Sequence, residues 1–231
     1  MHNFTIFSPL FVVLSVNIHR QNMETTLKQF GNIPITTDVL VSILGDYKAP
    51  LQKIMMMERS GELLRIKRGL YVVSPNISGY KISMSLIANH LYPCSYISMQ
   101  TALREYGLIP ERVYTIKSTS MGRSKNITTS MGEFIYIGCN PDYYPIGVNI
   151  KDCNGYSYMI ASPEKALCDL VISTTGLNLR YLSETRAYIE DDIRMDMNAL
   201  AQMDTQIIEE CASVGKKNKS LLNIIKLIKK L

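Results

Sequence analysis

The stretch SGELLRIKRGLYVV, residues 60–73, decides how the first part of this chain folds. Gly61 is expected to end a helix, because glycine takes the left-handed conformation that caps the last carbonyls at no steric cost. Two short strands follow, Leu63–Ile66 and Leu70–Val73. They are joined by the turn Lys67-Arg68-Gly69, which has glycine where φ must be positive. The stretch therefore predicts the end of a helix followed at once by a β-hairpin.

The first strand of this hairpin alternates between apolar and basic side chains. Leu64 and Ile66 alternate with Arg65 and Lys67, so one face should be apolar and the other basic. A basic hairpin directly after a helix is typical of the wing of a winged helix-turn-helix domain. The alternative is an ordinary surface hairpin whose cations only keep the protein in solution.

Three helices are predicted before the hairpin. The first is Met23–Phe30, and the second begins at Thr36-Thr37-Asp38, with a hydroxyl at the N-cap and an acid in the first turn. The third runs from Pro50 to Ser60, because proline is favourable at the first helical position. The second helix has an apolar face of Val39, Leu40, Ile43 and Leu44. Residues 22–74 are therefore predicted to form a winged helix-turn-helix domain.

A period of 3.6 residues divides the third helix into two faces. Its apolar side is expected to carry Leu51, Ile54, Met55 and Glu58. Its outward side is expected to carry Gln52, Lys53, Met56, Arg59 and Ser60. Because a carboxylate does not suit a buried face, we expect Glu58 to pair with a nearby cation.

A third helix of this kind fits the major groove of DNA, whose width admits an α-helix. Its polar side chains would meet base edges or phosphates, and the hairpin cations would follow a neighbouring run of phosphates or the minor groove. The predicted DNA-binding residues are Lys48, Gln52, Lys53, Arg59, Arg65, Lys67 and Arg68. The phosphate contacts would supply most of the affinity and would weaken with salt. A winged-helix unit that makes only protein contacts is the alternative.

The charge of the chain is mildly basic but unevenly distributed. The formal net charge is +5 over 231 residues, which permits a polyanionic partner without requiring one. Residues 47–73 carry six cations and two anions, whereas residues 184–210 carry eight anions and two cations. That acidic region is either a solvated face or a docking surface for a basic partner. Residues 216–231 carry six lysines and no acid.

Several functional classes find no support in the sequence. The five cysteines form no CxxC pair, and no histidine lies at ligand spacing. This pattern argues against a metal site and against a disulfide framework. Scattered cysteines of this kind indicate reduced thiols in a cytoplasm. No phosphate-binding lysine loop, GxSxG elbow or HExxH motif occurs. Asp191-Asp192 follows no glycine-serine turn of the kind a nucleotidyltransferase uses to hold Mg²⁺. We therefore expect neither an enzyme nor a cofactor.

The first 21 residues are interpreted as an N-terminal extension. The apolar run Phe4–Ile18 is too short to span a bilayer and lacks the positive start of a signal peptide. Met23 opens a conventional helix, so Met23 is a candidate for the true first residue of the protein. No other segment has transmembrane length, and no membrane partner is expected.

The remainder of the chain predicts a second domain, residues 79–231, of mixed α/β character after a linker at Ser74–Ser78. Residues 118–132 are expected to form a mobile loop. The expected helices are Lys81–Leu91, Met99–Tyr106 capped by Ser98, a helix opened by Ser162-Pro163, and Ser220–Leu231. The expected strands are Val113–Lys117, Glu133–Gly138, Gly147–Ile150 and Ser157–Ile160. The last helix has three open interpretations: packing on its own domain, lying on DNA, or touching an anionic membrane surface.

Three segments in this order resemble the AbiEi family of antitoxins. They are GELLRIKRGLYVV at residues 61–73, YISMQTALREYGLIPE at residues 96–111 and ASPEKALCDLV at residues 161–171. The resemblance covers about residues 22–172. It does not extend well to the N-terminal extension, the methionine-rich third helix or the C-terminal third.

The resemblance implies a bacterial type IV toxin-antitoxin, or abortive-infection, system. It implies a winged-helix domain that binds inverted repeats in double-stranded DNA of its own promoter, as a transcriptional autorepressor. It implies a second α+β domain that provides antitoxicity. The functional partner would be a nucleotidyltransferase-like toxin, which the antitoxin counteracts without forming a stable complex.

Overall fold

The computed structural model of this chain describes residues 23–45, 47–110 and 114–231, and its fold is of mixed α/β character. One compact unit ends at Ser83 and a second spans Met84–Leu231. The predicted extension, residues 1–21, lies outside the described residues. So do position 46 and residues 111–113, where one predicted strand begins.

The first unit combines helices with a small antiparallel sheet. Strand β3 lies between β1 and β2, so the strand order is β1-β3-β2. The elements in chain order are α1 over residues 23–28, β1 (Ile35–Thr36), α2 (Thr37–Ile43), α3 (Pro50–Arg59), β2 (Leu63–Lys67), β3 (Leu70–Val73) and α4 (Pro75–Ser78).

A hydrophobic core packs the elements of the first unit against one another. Each of α1, α2, α3 and the three strands contributes at least one side chain to it, so removing any one element would expose apolar surface. Its buried members are Leu27, Ile35, Leu40, Leu44, Ile54, Met57, Leu63, Tyr71 and Val73.

Helix α2 begins where the capping residues predict. The side chain of Thr36 accepts a hydrogen bond from the backbone N–H of Val39 at 3.5 Å, and Asp38 lies in the first turn. Leu40 and Leu44 face the core as expected, but Val39 is 43% exposed and does not belong to the buried face.

The predicted buried face of α3 is correct at Ile54 and wrong at Leu51 and Met55. The side chains that enter the core are Ile54 and Met57, whereas Leu51 and Met55, which were assigned to the apolar side, are 60% and 50% exposed. Met56 is exposed as predicted, at 62%. The helix is apolar at so many positions that its pattern does not select one face, and packing against the core makes the choice instead.

This face can be tested with two neighbouring substitutions. We expect Ile54→Ala to lower the free energy of unfolding by about 2–4 kcal/mol, because it leaves a cavity in the core. The matched change Met55→Ala removes an exposed side chain and should stay within about 0.5 kcal/mol of the unsubstituted protein. Urea unfolding measures both, and equal losses would contradict the observed orientation of α3.

The hairpin forms over the predicted residues but with an irregular register. Arg65 pairs with Tyr71 and Lys67 pairs with Leu70, so a bulge at Ile66 interrupts the alternation of β2. The buried side chains of β2 are consequently Leu63 and Ile66, and Leu64 is only partly buried. The predicted apolar face of Leu64 and Ile66 is therefore wrong at Leu64.

The predicted linker at Ser74–Ser78 is a short helix instead. Residues Pro75–Ser78 form α4, and Gly79 ends it in the left-handed conformation, with φ of 74°. Proline at the first helical position and glycine after the last are the usual signals for such a helix. The first unit continues past this segment to Ser83.

The second unit is built on a six-stranded mixed sheet with the order β6-β7-β5-β4-β9-β8. Its strands are β4 (Ser95–Ile97), β5 (Ile116–Ser120), β6 (Lys125–Thr129), β7 (Gly132–Gly138), β8 (Val148–Cys153) and β9 (Tyr156–Ala161). Its helices are α5 (Met84–Leu91), α6 (Met99–Glu105), α7 (Pro163–Ser173), α8 (Leu182–Ala187), α9 (Met197–Ala201), α10 (Thr205–Val214) and α11 (Asn218–Ile228), with a π-helical turn at Tyr188–Asp192.

Helices cover both faces of this sheet. The Tyr136 hydroxyl of β7 donates to the carbonyl of Ala88 in α5 at 2.8 Å, which places α5 on one face. Thr119 of β5 donates to Asp169 of α7 at 2.9 Å, which places α7 on the other. Because Tyr136 pairs with Ser118, the neighbour of Thr119, the two contacts fall on opposite sides as strand alternation requires.

Two sequence-based predictions for this unit need correction, and one strand was missed. Residues 118–132 are not one mobile loop, because Lys125–Thr129 forms β6 and pairs with β7 along its length. Helix α5 begins at Met84 rather than at Lys81. Strand β4, which pairs in parallel with β9, was not predicted from the sequence. Single polar strands such as β6 carry little periodic signal, and pairing with a neighbour supplies the hydrogen bonds that order them.

The C-terminal helix α11 packs within the second unit. Leu221, Ile224, Ile225 and Leu227 are buried, while Lys226, Lys229 and Lys230 are exposed. Of the three interpretations, the structure therefore has the helix packed on its own unit with lysines in water. The eight acids of residues 184–210 are all exposed. A solvated face and a docking surface for a basic partner both require this exposure, so the two interpretations of that region stay open.

Candidate functional site

The hairpin of the first unit carries three of the predicted DNA-binding side chains at exposed positions: Arg65, Lys67 and Arg68. Strand β2 lies at the edge of its sheet, and no further strand among the described residues covers it. Arg65 Nη1 lies 3.7 Å from Oε1 of Glu58 in α3. Arg65 is therefore the cation with which Glu58 was expected to pair. The ion pair joins the hairpin to α3.

A backbone hydrogen bond ties the tip of the hairpin to helix α2. The N–H of Thr37 donates to the carbonyl of Gly69 at 3.0 Å. Gly69 has φ of 82°, a conformation that glycine adopts without strain. Together with the pairing of Thr36 and Leu70, this contact holds the basic turn at a defined position beside α2.

The outward face of α3 carries two of the predicted polar contacts, Gln52 and Arg59, both exposed. They are surrounded by the exposed apolar side chains of Leu51, Met55 and Met56. The result is a mixed surface with one cation, one amide and three flexible or branched apolar groups. Methionine side chains adapt to irregular partners, whether these are protein or the apolar parts of a groove.

Lys53 is not brought together with Gln52 and Arg59. At 3.6 residues per turn it projects about 120° away from Arg59. Its ammonium lies 5.7 Å from the ring centroid of Tyr47, and it lines a cavity of about 300 Å³ together with Glu24 and Glu62. The structure thus places Lys53 on the flank of α3, partly buried, whereas Lys48 is exposed ahead of the helix.

The second unit contains a buried ion pair that the sequence analysis did not single out. Lys165 and Asp169 lie one turn apart on α7, with Nζ 3.8 Å from Oδ1 and side chains 0% and 3% exposed. The Lys165 ammonium donates to the carbonyl of Tyr143 at 2.7 Å and lies 3.0 Å from the centroid of that ring. The sequence signal that could have indicated this pair is the i, i+4 spacing of two opposite charges within an otherwise apolar helix.

Three hydroxyl groups converge on the Asp169 carboxylate. Ser98 and Thr119 donate to Oδ2 at 2.6 and 2.9 Å, and Tyr143 donates to Oδ1 at 2.7 Å. The Ser98 hydroxyl was expected to cap α6, but its side chain makes no capping hydrogen bond. The hydroxyl donates to the buried carboxylate instead, and a charge-assisted hydrogen bond of this kind is stronger than the neutral one that a cap would accept.

The burial of this cluster changes the proton affinity of its members. Burial lowers the pKa of Lys165, while the neighbouring Asp169 charge raises it in part. Burial and then the Asp169 charge raise the pKa of Tyr143. Burial also raises the pKa of Cys139 to about 11, so that thiol stays protonated near neutral pH.

Two serines of this unit provide a matched test of the cluster. Ser98 is 0% exposed and donates to Asp169, whereas Ser120 is 1% exposed and its hydroxyl has no partner among the residues that the structure describes. We expect Ser98→Ala to lower the free energy of unfolding by about 1–3 kcal/mol and Ser120→Ala to leave it equal or slightly higher. Urea unfolding compares them, and a costlier Ser120→Ala would contradict this assignment.

A cavity of about 540 Å³ opens beside the cluster. It lies at the carboxyl ends of the parallel strands β5 and β7, between them, α7 and the end of α10. Asp169 and Thr119 line it from the cluster, and Ile137, Ile172 and Val214 supply apolar walls. Ligands of open sheets commonly bind outside the carboxyl ends of parallel strands.

The fold gathers cysteines that are scattered in the sequence. Cys168 and Cys211 are both fully buried, and a hydrogen bond with Cys168 is the main cause that lowers the pKa of Cys211. Within residues 23–45, 47–110 and 114–231, no group of three or more histidine, cysteine or acidic side chains is arranged to hold a metal ion.

Among the described helices, none is both long enough and apolar enough to cross a membrane. No protein-family model matches the chain, and no curated protein matches it. A solved structure with a similar arrangement is the crystal structure of the RV2827C protein from Mycobacterium tuberculosis. It has 13% sequence identity and a TM-score of 0.49, over 90% of this chain and 80% of that one.

Proposed function

We propose that this chain binds double-stranded DNA through its first unit, folded as a winged helix-turn-helix. The order α1-β1-α2-α3-β2-β3, with β1 completing the sheet beside the hairpin, supports this assignment. In such a unit α3 enters the major groove and the β2–β3 hairpin lies against the neighbouring backbone.

The observation that carries the proposal is the exposed cationic hairpin beside α3. Arg65, Lys67 and Arg68 are exposed on the hairpin, and Arg59 is exposed in the last turn of α3. Glu58 joins the two elements through Arg65. Cations on two adjoining elements suit a polyanion with regularly spaced charges better than they suit a small anionic ligand.

The biological role that we propose is that of an antitoxin and transcriptional autorepressor. The support is the resemblance of residues 61–73, 96–111 and 161–171 to the AbiEi family. In this role the protein binds inverted repeats in its own promoter and counteracts a nucleotidyltransferase-like toxin without a stable complex. The second unit provides the antitoxicity.

Fluorescence anisotropy with a labelled duplex from upstream of the coding frame tests DNA binding. Five exposed cations, Lys48, Arg59, Arg65, Lys67 and Arg68, should give a slope of about −4 to −5 for log affinity against log salt. A duplex of the same length and shuffled sequence should bind more weakly. No binding to either duplex at low salt would refute the proposal.

One observation favours a second candidate function, a winged-helix unit that binds protein instead of DNA. Leu51, Met55 and Met56 expose 50–62% of their surface on the outward face of α3. Contiguous apolar groups on an exposed helix are common in protein interfaces. Two results together would select this function. The chain should capture a protein partner that the variants Met55→Lys and Met56→Lys no longer capture, and it should show no affinity for DNA at low salt.

A further inference from the structure

The six-stranded sheet of the second unit has two edge strands among the described residues, β6 and β8. The side chains of β6 are polar except for Ile127, which is only partly exposed. In contrast, β8 carries Ile150 with 70% of its surface exposed. The pairing of β8 with β9 is regular over six residues, so no bulge turns the free edge away. An edge strand with these properties can accept a further strand.

The two charged side chains of β8 leave the centre of this edge open. Lys151 lies on the opposite face of the sheet from Ile150, where its ammonium donates to the Glu105 carboxylate of α6 at 3.1 Å. Asp152 is exposed, but it lies next to the end of the strand. The middle of β8 is therefore apolar on one face and carries a neutralised charge on the other.

Helix α5 covers the sheet only as far as β9 on the side of Ile150. Ile150 pairs with Met159 of β9, so the two side chains lie on the same face. A cavity of about 390 Å³ opens there, and Leu86 and His90 of α5 line it together with Ile150 and Met159. The apolar surface next to the free edge thus stays in contact with water.

The sequence of β8 is complementary to itself in one antiparallel register. Residues that oppose each other share a face, so the two-fold axis of a self-paired strand passes through a residue. An axis at Lys151 or Asp152 would place like charges directly opposite each other, which is destabilising. An axis at Ile150 opposes the two isoleucines and places Asn149 opposite Lys151 and Val148 opposite Asp152, so five residues of each strand pair. An axis at Asn149 would pair only three residues of β8.

We propose that two copies of this chain associate through β8, antiparallel and around a two-fold axis at Ile150. The two sheets then join into one, the backbone groups of both free edges form hydrogen bonds, and each Ile150 buries the other. One strand supplies both halves of the contact, so a second copy suits it without any other protein. Because the contact is small, we expect a dissociation constant on the order of 10–100 µM. The proposal concerns the second unit alone and does not depend on DNA binding.

Sedimentation equilibrium of the full chain between about 5 and 500 µM tests the association. We expect the mass to rise with concentration from that of one chain towards that of two, and Ile150→Lys to weaken the association at least tenfold, because it opposes two cations at the axis. The matched control Tyr181→Lys changes a side chain that is 66% exposed outside β8, and it should leave the association unchanged. A single-chain mass at every concentration, or a dimer that Ile150→Lys leaves intact, overturns the proposal.

Cross-linking tests the register and does not rely on a disruptive variant. In a Cys94→Ser background, which removes an exposed thiol, Ile150→Cys places two thiols opposite each other. Mild oxidation should then link most of the protein at 100 µM into dimers on a non-reducing gel. The background alone keeps Cys153, whose two copies would lie roughly 20 Å apart in this register, and it should stay unlinked. Failure of Ile150→Cys to link, or equal linking of the background, overturns the register and the proposed contact.

Discussion

Replacement of Arg65, Lys67 and Arg68 together by alanine is expected to weaken DNA binding about a hundredfold or more near 0.1 M salt. Each phosphate contact releases a bound counterion, so the loss of three should also reduce the slope of log affinity against log salt by about 2.7. The three side chains are exposed, so the fold should persist. Anisotropy titrations at several salt concentrations measure both quantities.

A charge-matched variant separates a specific contact from a general effect of net charge. Lys219, Lys229 and Lys230 are exposed on the second unit, and their replacement by alanine removes the same three charges. This control should bind DNA within a few-fold of the unsubstituted protein, because long-range attraction between exposed charges is largely screened. Equal losses in the two triple variants would mean that the hairpin is not the contact surface.

The largest effect on stability is expected for Asp169→Ala. The substitution leaves Lys165 buried at 0% exposure without its counter-charge, and it leaves the hydroxyls of Ser98, Thr119 and Tyr143 without their acceptor. Breaking a buried pair by removing one partner costs about 3–5 kcal/mol. Urea unfolding followed by circular dichroism measures the loss in the free energy of unfolding.

Two comparisons show whether the loss comes from the unpaired charge. The double variant Lys165→Met with Asp169→Leu removes both charges and should recover a large part of the stability that Asp169→Ala loses. Arg186 and Glu190 form an exposed ion pair at the same i, i+4 spacing, with side chains 47% and 49% exposed. Glu190→Ala should therefore cost no more than about 0.5 kcal/mol. An Asp169→Ala protein as stable as Glu190→Ala would refute the importance of the buried pair.

Local signals predicted the elements that depend on neighbours in the chain. Thr36 starts α2 and Ser162 starts α7, where it accepts from the Lys165 N–H at 3.2 Å. Gly61 and Gly69 take positive φ where a helix and a turn need it. These contacts close within a few residues, so residue type and spacing alone indicate them.

Local signals did not predict which side chains of α3 and β2 are buried. Helix α3 is apolar at most positions, so its periodicity permits several faces, and the core accepts Ile54 and Met57 rather than Leu51 and Met55. In β2 a one-residue bulge changes the buried set, which no alternation pattern could indicate.

The amino-acid sequence by itself determined where α2, α3 and the hairpin turn begin. It also placed Glu58 close enough to the five cations of α3 and the hairpin to indicate a pair with one of them, which the structure identifies as Arg65. Only the tertiary structure decided that Lys53 leaves the outward face of α3 and that Ser98, Thr119 and Tyr143 meet at Asp169. The residues of that cluster are separated by up to 71 positions in the chain. Short-range preferences carry no information about such contacts, because they arise when the sheet brings distant segments together and excludes water from them.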